Sequence, residues 1–415
     1  MKTIPTRLLS TLLVTSVIGL ITPPAAADDW PQWYGPQRDG RSAEKGDLVS
    51  TWTEKGPKVR WTQALGPGFS SFAVVGDTGY TMATNDPHVS VVAFDVKTGK
   101  DRWRTRIGQA YSDRMGGDGP RATPTIHEGN LFALGPNGTL VAMDAKTGRL
   151  AWMRQIAQEL GGEIPKWGYS GSPLVSGGLV YIEVGGKDDH SLVAFSAKDG
   201  KVVWKRGGFK AGYSSPALLT LAGTPQVVFF TAQAAVATRP KTGEVLWTRP
   251  WEISYDVSAA TPIAAGPNSL FISAGYGVGG VLYDLTRQGE KLAINQRWAS
   301  PRMRNKMSTS VHIKGTLYGF DEDRLTAMDA NSGTLAWQYD EFGRGSLIAV
   351  GDRLVVLGED CRLAIVEATP KAYTPVKPPV RILPSDRCWT VPALSDGVLF
   401  VRDLEQMRAV ELIKR

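Results

Sequence analysis

The stretch LVAMDAKTGRLAW, residues 140–152, combines the signals of a β-hairpin with a bulky aromatic residue near its end. Its apolar run alternates in the manner of a half-buried strand. Asp144 can accept hydrogen bonds from main-chain amides in a turn, and Gly148 can adopt the positive φ that such a turn requires. A second strand follows and carries Trp152. We therefore interpret the stretch as two strands joined by a tight turn.

Close relatives of this hairpin recur along the chain. They are VVAFDVKTGKDRW ending at Trp103, LVAFSAKDGKVVW ending at Trp204, AAVATRPKTGEVLW ending at Trp247, LTAMDANSGTLAW ending at Trp337, and a degraded copy with an insertion, VLYDLTRQGEKLAINQRW, ending at Trp298. Successive tryptophans, counting Trp152, are separated by 49, 52, 43, 51 and 39 residues. A period of about 40 to 50 residues with strand signals is typical of a β-propeller blade. Each tryptophan can then fill the wedge between two neighbouring blades.

The repeat predicts an all-β, eight-bladed propeller of four-stranded antiparallel blades, with seven blades as the alternative. The first seven blades are expected at 68–106, 119–156, 168–206, 212–249, 256–299, 306–340 and 344–383. The last blade, 388–412, supplies three strands, and KVRWTQAL (58–65) is expected to complete it, with Trp61 in the usual tryptophan position. Pairing the two ends of the chain in one sheet would remove the free sheet edges.

The first 27 residues are expected to be a secretory signal rather than part of the fold. A basic start containing Lys2 and Arg7 precedes an apolar run, and small residues end at Ala27, the predicted cleavage site. The alternative is an uncleaved membrane anchor. No cysteine lies near the cleavage point, so we expect no lipid anchor, and we expect a periplasmic or secreted protein. Residues 28–57 would form an N-terminal extension, and 58–415 a single propeller domain.

Charge and hydropathy limit the expected partners. The formal net charge is +7, and it falls to +5 once Lys2 and Arg7 are removed. Because the remaining charges are dispersed and of both signs, a nucleic-acid partner is not expected. No later segment is apolar for long enough to cross a membrane. We expect a monomer.

The AxDxxTGxxxW pattern resembles the repeat of the quinoprotein, or pyrroloquinoline-quinone (PQQ)-like, propellers. The resemblance covers the chain from Val59 onward, and DDWPQWYGPQRDG (28–40) also resembles the opening of exported bacterial propellers of this type. The family implies the propeller fold but not one activity, because it includes quinone-dependent alcohol and sugar dehydrogenases as well as non-catalytic assembly scaffolds.

In the family's enzymes the cofactor lies over the propeller axis, on the face formed by the connections from the last strand (D) of one blade to the first strand (A) of the next. In this chain those D–A connections are rich in basic and aromatic residues. We therefore expect a ligand site near Arg121, Trp167, Tyr169, Tyr213, Lys306, Arg344 and Trp389. Such residues would suit an anionic or polyhydroxylated ligand. The alternative is that Tyr169, Tyr213 and Trp389 only fill the axial channel.

The two cysteines are placed by the topology on this same face. Cys361 falls in the B–C hairpin of blade 7, and Cys388 lies at the start of blade 8. A disulfide between them would close a loop that contributes roughly 3 kcal/mol on the chain-entropy model. Two separate thiols are the alternative.

Two functions follow from the resemblance. The first is an exported scaffold that binds a protein or carbohydrate ligand through its D–A face, similar to the outer-membrane assembly propeller. The second is a PQQ-dependent dehydrogenase, with PQQ and Ca²⁺ as cofactors. Those alcohol dehydrogenases carry a disulfide between adjacent cysteines, which this chain lacks, and Glu183, Asp256 and Asn305 do not align to a Ca²⁺-binding motif. We therefore favour the scaffold, assign no catalytic residue and expect no metal site.

Overall fold

The computed structural model describes residues 29–48, 52–113, 115–289 and 291–414. These residues form eight antiparallel blades, so the predicted eight-bladed propeller is confirmed and the seven-bladed alternative is excluded. The helical elements described are a short α-helix, Ile156–Leu160, and a 3₁₀ turn, Ser254–Asp256. Nowhere in the described ranges is a helix both long and apolar enough to cross a bilayer. The predicted signal sequence, with its cleavage site after Ala27, lies outside the described residues.

Each blade is labelled A to D from the axis outward, because the A strands of neighbouring blades contact one another. The strands of blades 1 to 4 are Ala73–Val75, Thr78–Asn85, His88–Asp95 and Asp101–Gln109; Thr125–His127, Asn130–Leu134, Thr139–Asp144 and Leu150–Gln155; Leu174–Ser176, Leu179–Glu183, Leu192–Ser196 and Val202–Arg206; and Ala217–Leu221, Thr224–Phe230, Ala234–Thr238 and Val245–Pro250.

The other four blades follow the same plan, with additions from the N-terminal segment. The strands of blades 5 to 8 are Ile263–Ala264, Ser269–Ala274, Gly279–Gln288 and Lys291–Ser300; Val311–Ile313, Thr316–Asp321, Arg324–Asp329 and Leu335–Tyr339; Ser346–Val350, Arg353–Leu357, Arg362–Glu367 and Pro375–Arg381; and Ala393–Ser395, Val398–Arg402, Gln406–Glu411 and Val59–Ala64. Arg41–Ser42 adds a parallel fifth strand to blade 7, and Trp52–Thr53 pairs with Gly56–Pro57.

The repeated tryptophans dock each blade onto the next. For six of the seven, the indole Nε1–H donates to a main-chain carbonyl in the C–D connection of the following blade, at 2.8 to 3.1 Å. These six are Trp61, Trp103, Trp152, Trp204, Trp298 and Trp337. The seventh, Trp247, donates instead to the Gln226 side chain in its own blade, at 2.6 Å. The following blade 5 has a long C–D hairpin in place of the short turn, so the usual acceptor is absent there.

The turn that receives each tryptophan is built by the repeat itself. In blade 2, the Asp144 carboxylate accepts hydrogen bonds from the Thr147 amide and hydroxyl, at 2.8 and 2.6 Å. Gly148 has φ +69°, and a Cβ placed there would lie 2.6 Å from the ring of Trp103. The glycine therefore has two roles: it permits the left-handed backbone, and it leaves room for the indole of the preceding blade.

The ring closes as the sequence predicts. Val59–Ala64 pairs antiparallel with Gln406–Glu411, and Trp61 lies opposite Ala409. The fully buried Arg402 reinforces this seam by donating to the carbonyl oxygens of Gly66 and Met82, each at 2.8 Å. Sequence from both ends of the propeller thus completes blade 8.

The N-terminal segment fills the axial channel, which the sequence did not predict. Residues 30–44 hydrogen-bond to all eight blades, in blade order through Val74, Ile126, Pro173, Pro216, Thr261, Thr309, Leu347 and Gly397. We call these residues the axial plug. The axial plug therefore occupies the channel, in place of Tyr169, Tyr213 and Trp389 as the alternative had it.

The side chain at the centre of the plug is the buried Arg38. Its guanidinium donates to the carbonyl oxygens of Ser172, at 3.2 Å, Pro216, at 2.9 Å, and Pro173, and to the Gln32 side chain at 2.8 Å. Burial lowers the pKa of Arg38. Carbonyl dipoles, rather than a carboxylate, therefore solvate this charge, and the arginine ties the inner strands of blades 3 and 4 to the plug.

Cys361 and Cys388, which are 27 positions apart in sequence, are joined in a disulfide, with their Cα atoms 5.1 Å apart. Both are buried. The bond links the B–C turn of blade 7 to the connection that enters blade 8. It therefore holds together two neighbouring loops on the D–A face.

Candidate functional site

A pocket of about 520 Å³ opens on the D–A face over the propeller axis. Each connection between successive blades contributes to its wall. Its lining residues are Trp33, Phe69, Met115, Gly116, Arg121, Lys166, Trp167, Ser170, Tyr213, Ser215, Tyr255, Val257, Ala259, Tyr276, Lys306, Met307, Arg344 and Trp389. Trp33 belongs to the axial plug and hydrogen-bonds to Thr261 at 3.0 Å. The plug therefore occupies the channel beneath the pocket.

Three pairs of aromatic rings form most of the apolar wall. Phe69 and Trp389 stack with their centroids 5.6 Å apart. Trp167 and Tyr213 are 5.5 Å apart, and Tyr255 and Tyr276 are 5.4 Å apart. Each pair brings together residues from two different connections, so the rings fix the loops against one another. Offset and tilted pairs of this kind are favourable arrangements for aromatic rings.

Four cationic side chains of the lining lie over these rings, and Arg387, outside the lining, lies 5.0 Å from the centroid of Trp389. Arg121 is 5.3 Å from the centroid of Phe69, and Lys166 is 5.7 Å from that of Trp167. Lys306 is 4.6 Å from the centroid of Tyr276, and Arg344 is 5.8 Å from that of Trp389. Cation–π attraction holds the charges at the wall without neutralising them.

The four cations differ in their acidic partners. Lys306 forms an ion pair with Glu322 at 3.4 Å, and Arg344 forms one with Glu359 at 3.5 Å. Arg121 donates to the carbonyl oxygens of Gly116, Gly117 and Gly119. Within the described residues, no carboxylate forms an ion pair with Arg121 or Lys166. Asp113 interacts electrostatically with both Arg121 and Lys166, and Asp118 with Arg121, but neither aspartate lines the pocket.

Burial shifts the pKa values of titratable groups at this wall. It lowers the pKa of Arg121 and raises the pKa of Tyr213 to about 12. Tyr213 is therefore a neutral phenol at physiological pH. Its hydroxyl oxygen accepts a hydrogen bond from the Trp167 amide at 3.4 Å, which joins the connections on either side of blade 3.

The pocket brings together six of the seven predicted ligand-face residues: Arg121, Trp167, Tyr213, Lys306, Arg344 and Trp389. Tyr169 lies elsewhere. Its side chain is 2% exposed, and its hydroxyl donates to the Val184 carbonyl at 2.7 Å. Tyr169 therefore supports the loop from below instead of facing the pocket.

Several wall residues were missed by the sequence analysis. Phe69 lies between blades 8 and 1, Tyr276 lies in a B–C loop, and Trp33 lies in the N-terminal extension. Two signals could have identified Tyr276 and Trp33. B–C loops share a face with D–A connections, and an aromatic-rich segment outside the repeat, WPQWY (30–34), needs a place to be buried.

The described lining residues include no carboxylate, carboxamide, imidazole or thiol. Across the described ranges, no group of three or more His, Cys, Asp or Glu side chains is placed to hold a metal ion. The buried Glu183 accepts a hydrogen bond from the Gly212 amide at 2.7 Å, and Asn305 bonds to Ser310 and to the Phe320 carbonyl. Asp256 pairs with Lys210 at 3.5 Å. Glu183, Asp256 and Asn305, the possible Ca²⁺ ligands of the sequence analysis, therefore each make separate structural contacts and do not form one site.

Comparison with known proteins gives two kinds of match. Residues 87–339 match the family model described as "Outer membrane protein assembly factor BamB". The protein of that name from Burkholderia pseudomallei is 28% identical over 307 residues, which cover 72% of this chain and 63% of the relative. The matched region thus spans less than two thirds of the relative's length.

Solved structures share the fold at lower identity. BamB from Moraxella catarrhalis matches with a TM-score of 0.61 and 14% identity, over 86% of this chain and 99% of that chain. The quinohemoprotein alcohol dehydrogenase from Comamonas testosteroni matches with a TM-score of 0.65 and 15% identity, over 94% of this chain and 82% of that chain. These likenesses establish the fold alone. The family match, in contrast, spans more than half of the sequence, and this chain therefore belongs to the family of PQQ-like propellers described as outer membrane protein assembly factor BamB.

Proposed function

We propose that this protein is a non-catalytic binding protein of the cell envelope, which takes part in outer-membrane protein assembly by holding a polypeptide partner on its D–A face. Family membership supports the assembly role. The composition of the pocket wall is the observation that supports the binding role. It combines aromatic pairs with cations, and its described lining residues include no side chain suited to bind a metal ion.

The residues present do not fit the quinone-dependent alternative. Enzymes of that kind need oxygen ligands for Ca²⁺, a carboxylate base and, in the alcohol dehydrogenases, adjacent bridged cysteines. Here the candidate oxygen ligands are used in separate loops, and the disulfide joins cysteines 27 residues apart, both buried. We therefore derive no catalytic step. The cationic, aromatic pocket would also accommodate an aromatic anion such as the quinone, which makes quinone binding a necessary control.

The envelope location rests on the N-terminal sequence. We propose that residues 1–27 direct export and are removed after Ala27, so that the mature chain begins at Asp28. Intact-mass measurement of the protein from the envelope of its own host would give the mass of a chain starting at Asp28. Retention of the first 27 residues, or a lipid modification, would contradict this proposal.

Deletion of the gene in its host tests the assembly role. The amount of folded outer-membrane β-barrel protein, measured by heat-modifiable mobility on gels, is expected to fall and to recover with the wild-type gene. A pocket variant, Arg121→Glu with Lys166→Glu, is expected not to restore it. The matched control, Lys97→Glu with Lys146→Glu, changes the same charge on exposed C–D turns and is expected to restore it.

Two outcomes would contradict the proposal. One is an unchanged level of folded barrel protein after deletion, or full recovery with the pocket variant. The other is reduction of a redox dye by the purified protein when PQQ, Ca²⁺ and an alcohol or aldose are all supplied, because that result would establish a dehydrogenase.

A further inference from the structure

The charge balance of the pocket selects the sign of its ligand. Four cations face it, and Glu322 and Glu359 pair with Lys306 and Arg344 only. In the described part of the chain, no carboxylate lies within ion-pair distance of Arg121 or Lys166; Asp113 interacts with both at longer range and Asp118 with Arg121, but neither aspartate lines the pocket. A positive pocket with low-polarity walls attracts negative charge and strengthens its binding. The ligand should therefore carry a carboxylate or another anion on the side formed by two connections, the one from blade 1 to blade 2 and the one from blade 2 to blade 3.

The apolar wall selects a flat, hydrophobic group next to that charge. The three ring pairs offer stacking surfaces, and a pocket of about 520 Å³ is in the range that encloses one small group or a few side chains. A neutral sugar fits this wall less well. Its hydroxyl donors need acceptors, whereas the described wall offers cations and a few hydroxyl groups.

The plug excludes one mode of binding. Since residues 30–44 bond to all eight blades and Trp33 lines the pocket, the axis is closed below it. A polypeptide cannot pass through the ring. It must insert a side chain or a short loop from the D–A side.

The mouth of the pocket extends beyond what a small molecule would cover. Met115 and Tyr255, both in the lining, are each 70% exposed. Large apolar side chains grouped around a cavity are typical of protein-interaction surfaces. A bound aromatic compound would leave them in water, while a polypeptide partner would cover them.

We propose that the pocket holds an aromatic side chain of an acidic segment in the partner polypeptide, with Arg121 and Lys166 binding the neighbouring carboxylates. This inference rests on the proposed function and adds the chemistry of the segment that is recognised.

Three short capped peptides test it by anisotropy of an attached fluorophore. They are Gly-Ser-Asp-Phe-Glu-Gly-Ser, its charge-reversed form with Lys in place of both acids, and its form with Ala in place of Phe. The first is expected to bind at least about tenfold more tightly than either of the others, and its affinity is expected to fall as salt is added.

Variants of the full chain locate the binding. Arg121→Gln and Lys166→Gln are each expected to weaken binding of the first peptide by about fivefold or more, since each removes one charge-assisted contact. Lys241→Gln removes an exposed cation from a C–D turn and is expected to leave the affinity unchanged. Phenylacetate, a free aromatic anion, serves as the small-molecule comparison and is expected to bind more weakly than the peptide.

Equal binding of the three peptides, no binding of the first, or binding of phenylacetate as tight as that of the peptide would overturn the inference. Loss of affinity in Lys241→Gln equal to that in Lys166→Gln would also overturn it. These results would leave the gene-deletion test of the proposed function unaffected, so the two failures can be told apart.

Discussion

The two faces of the propeller differ in how closely their connections resemble one another. On the C–D face, the turns of blades 1, 2 and 6 repeat one device, in which an aspartate accepts turn amides, and the turns of blades 1, 2, 3, 4 and 6 each hold a glycine against an indole from the preceding blade. On the D–A face, every connection is different, and residues from all of them converge on one pocket.

The difference separates the residues that hold the ring together from those that we propose bind a ligand. A docking contact repeated around the ring stabilises each seam locally, so no single connection on the other face has to do so. The D–A connections are therefore free to vary and to place rings and charges for a ligand. The axial plug is the exception, because it joins both roles: it bonds to every blade, and it contributes Trp33 to the pocket.

The largest effect is expected from the centre of the plug. Arg38→Met keeps the apolar stem but leaves the carbonyl groups of Ser172 and Pro216 buried without their donor, whereas the Pro173 carbonyl still accepts from the Thr125 hydroxyl at 2.6 Å. We expect the free energy of unfolding in urea to fall by about 4 kcal/mol, because unpaired buried polar groups are costly. A loss near zero would mean that the repeated contacts alone hold the ring.

Arg102→Met is the matched control for that variant. Arg102 pairs with Asp77 and Asp95 at 2.9 and 2.7 Å on the outside of blade 1. Exposed ion pairs contribute little, so we expect a loss of less than about 1 kcal/mol. A control that lost as much as Arg38→Met would show that the effect is not specific to the plug.

The docking glycine gives the next largest effect. Gly148→Ala forces a residue with a side chain into φ +69° and places its Cβ against Trp103. Gly129→Ala, at φ +76° with open space around it, imposes the backbone strain alone. We expect unfolding free energies lowered by about 3 kcal/mol and about 1 kcal/mol, respectively. Equal losses would mean that the indole moves aside without penalty.

A buried acid beneath the D–A face is expected to lower stability at neutral and alkaline pH. Burial raises the pKa of Glu183 to about 8, whereas an unfolded glutamate titrates near its ordinary value of about 4.3. Between these values the folded state holds a proton that the unfolded state has lost, so stability falls as pH rises through this window. Glu183→Gln keeps an acceptor for the Gly212 amide.

We expect Glu183→Gln to match the wild type in urea unfolding at pH 4.5 and to be more stable by a few kcal/mol at pH 8. A stability difference that does not change with pH would mean that Glu183 is already ionised in the folded protein.

The sequence predicted the repeated part of the molecule well because the pattern is local. Asp144, Gly148 and Trp152 lie within one hairpin, and their spacing alone indicates the turn and the outer strand. The closing strand around Trp61 was predicted because the last blade supplies only three strands and this segment carries a tryptophan, although it lies far from blade 8 in sequence. Six pocket residues were found because D–A connections share a face.

The rest depends on contacts that no spacing encodes. The plug bonds to each blade through single side chains or main-chain groups. Arg38 donates to main-chain carbonyl oxygens, and every residue has a carbonyl, so the sequence does not indicate this contact. Tyr169 and Tyr213 lie in similar Gly-Tyr-Ser stretches, yet one is buried under the loop and the other faces the pocket. The small difference in loop path that separates them is a tertiary effect.

The smallest expected effect gives the most direct test of the central claim, which is that the C–D face holds the ring together and the D–A face binds the ligand. Trp103→Phe removes the donor to the Ala145 carbonyl and should lower the unfolding free energy by about 1 kcal/mol without changing affinity for the acidic, aromatic peptide. Trp167→Phe removes an indole N–H that has no acceptor among the described residues. It should change stability by less than about 0.5 kcal/mol but weaken the peptide about fivefold. If Trp167→Phe instead lost as much stability as Trp103→Phe and left peptide affinity intact, the assignment of separate roles to the two faces would be wrong.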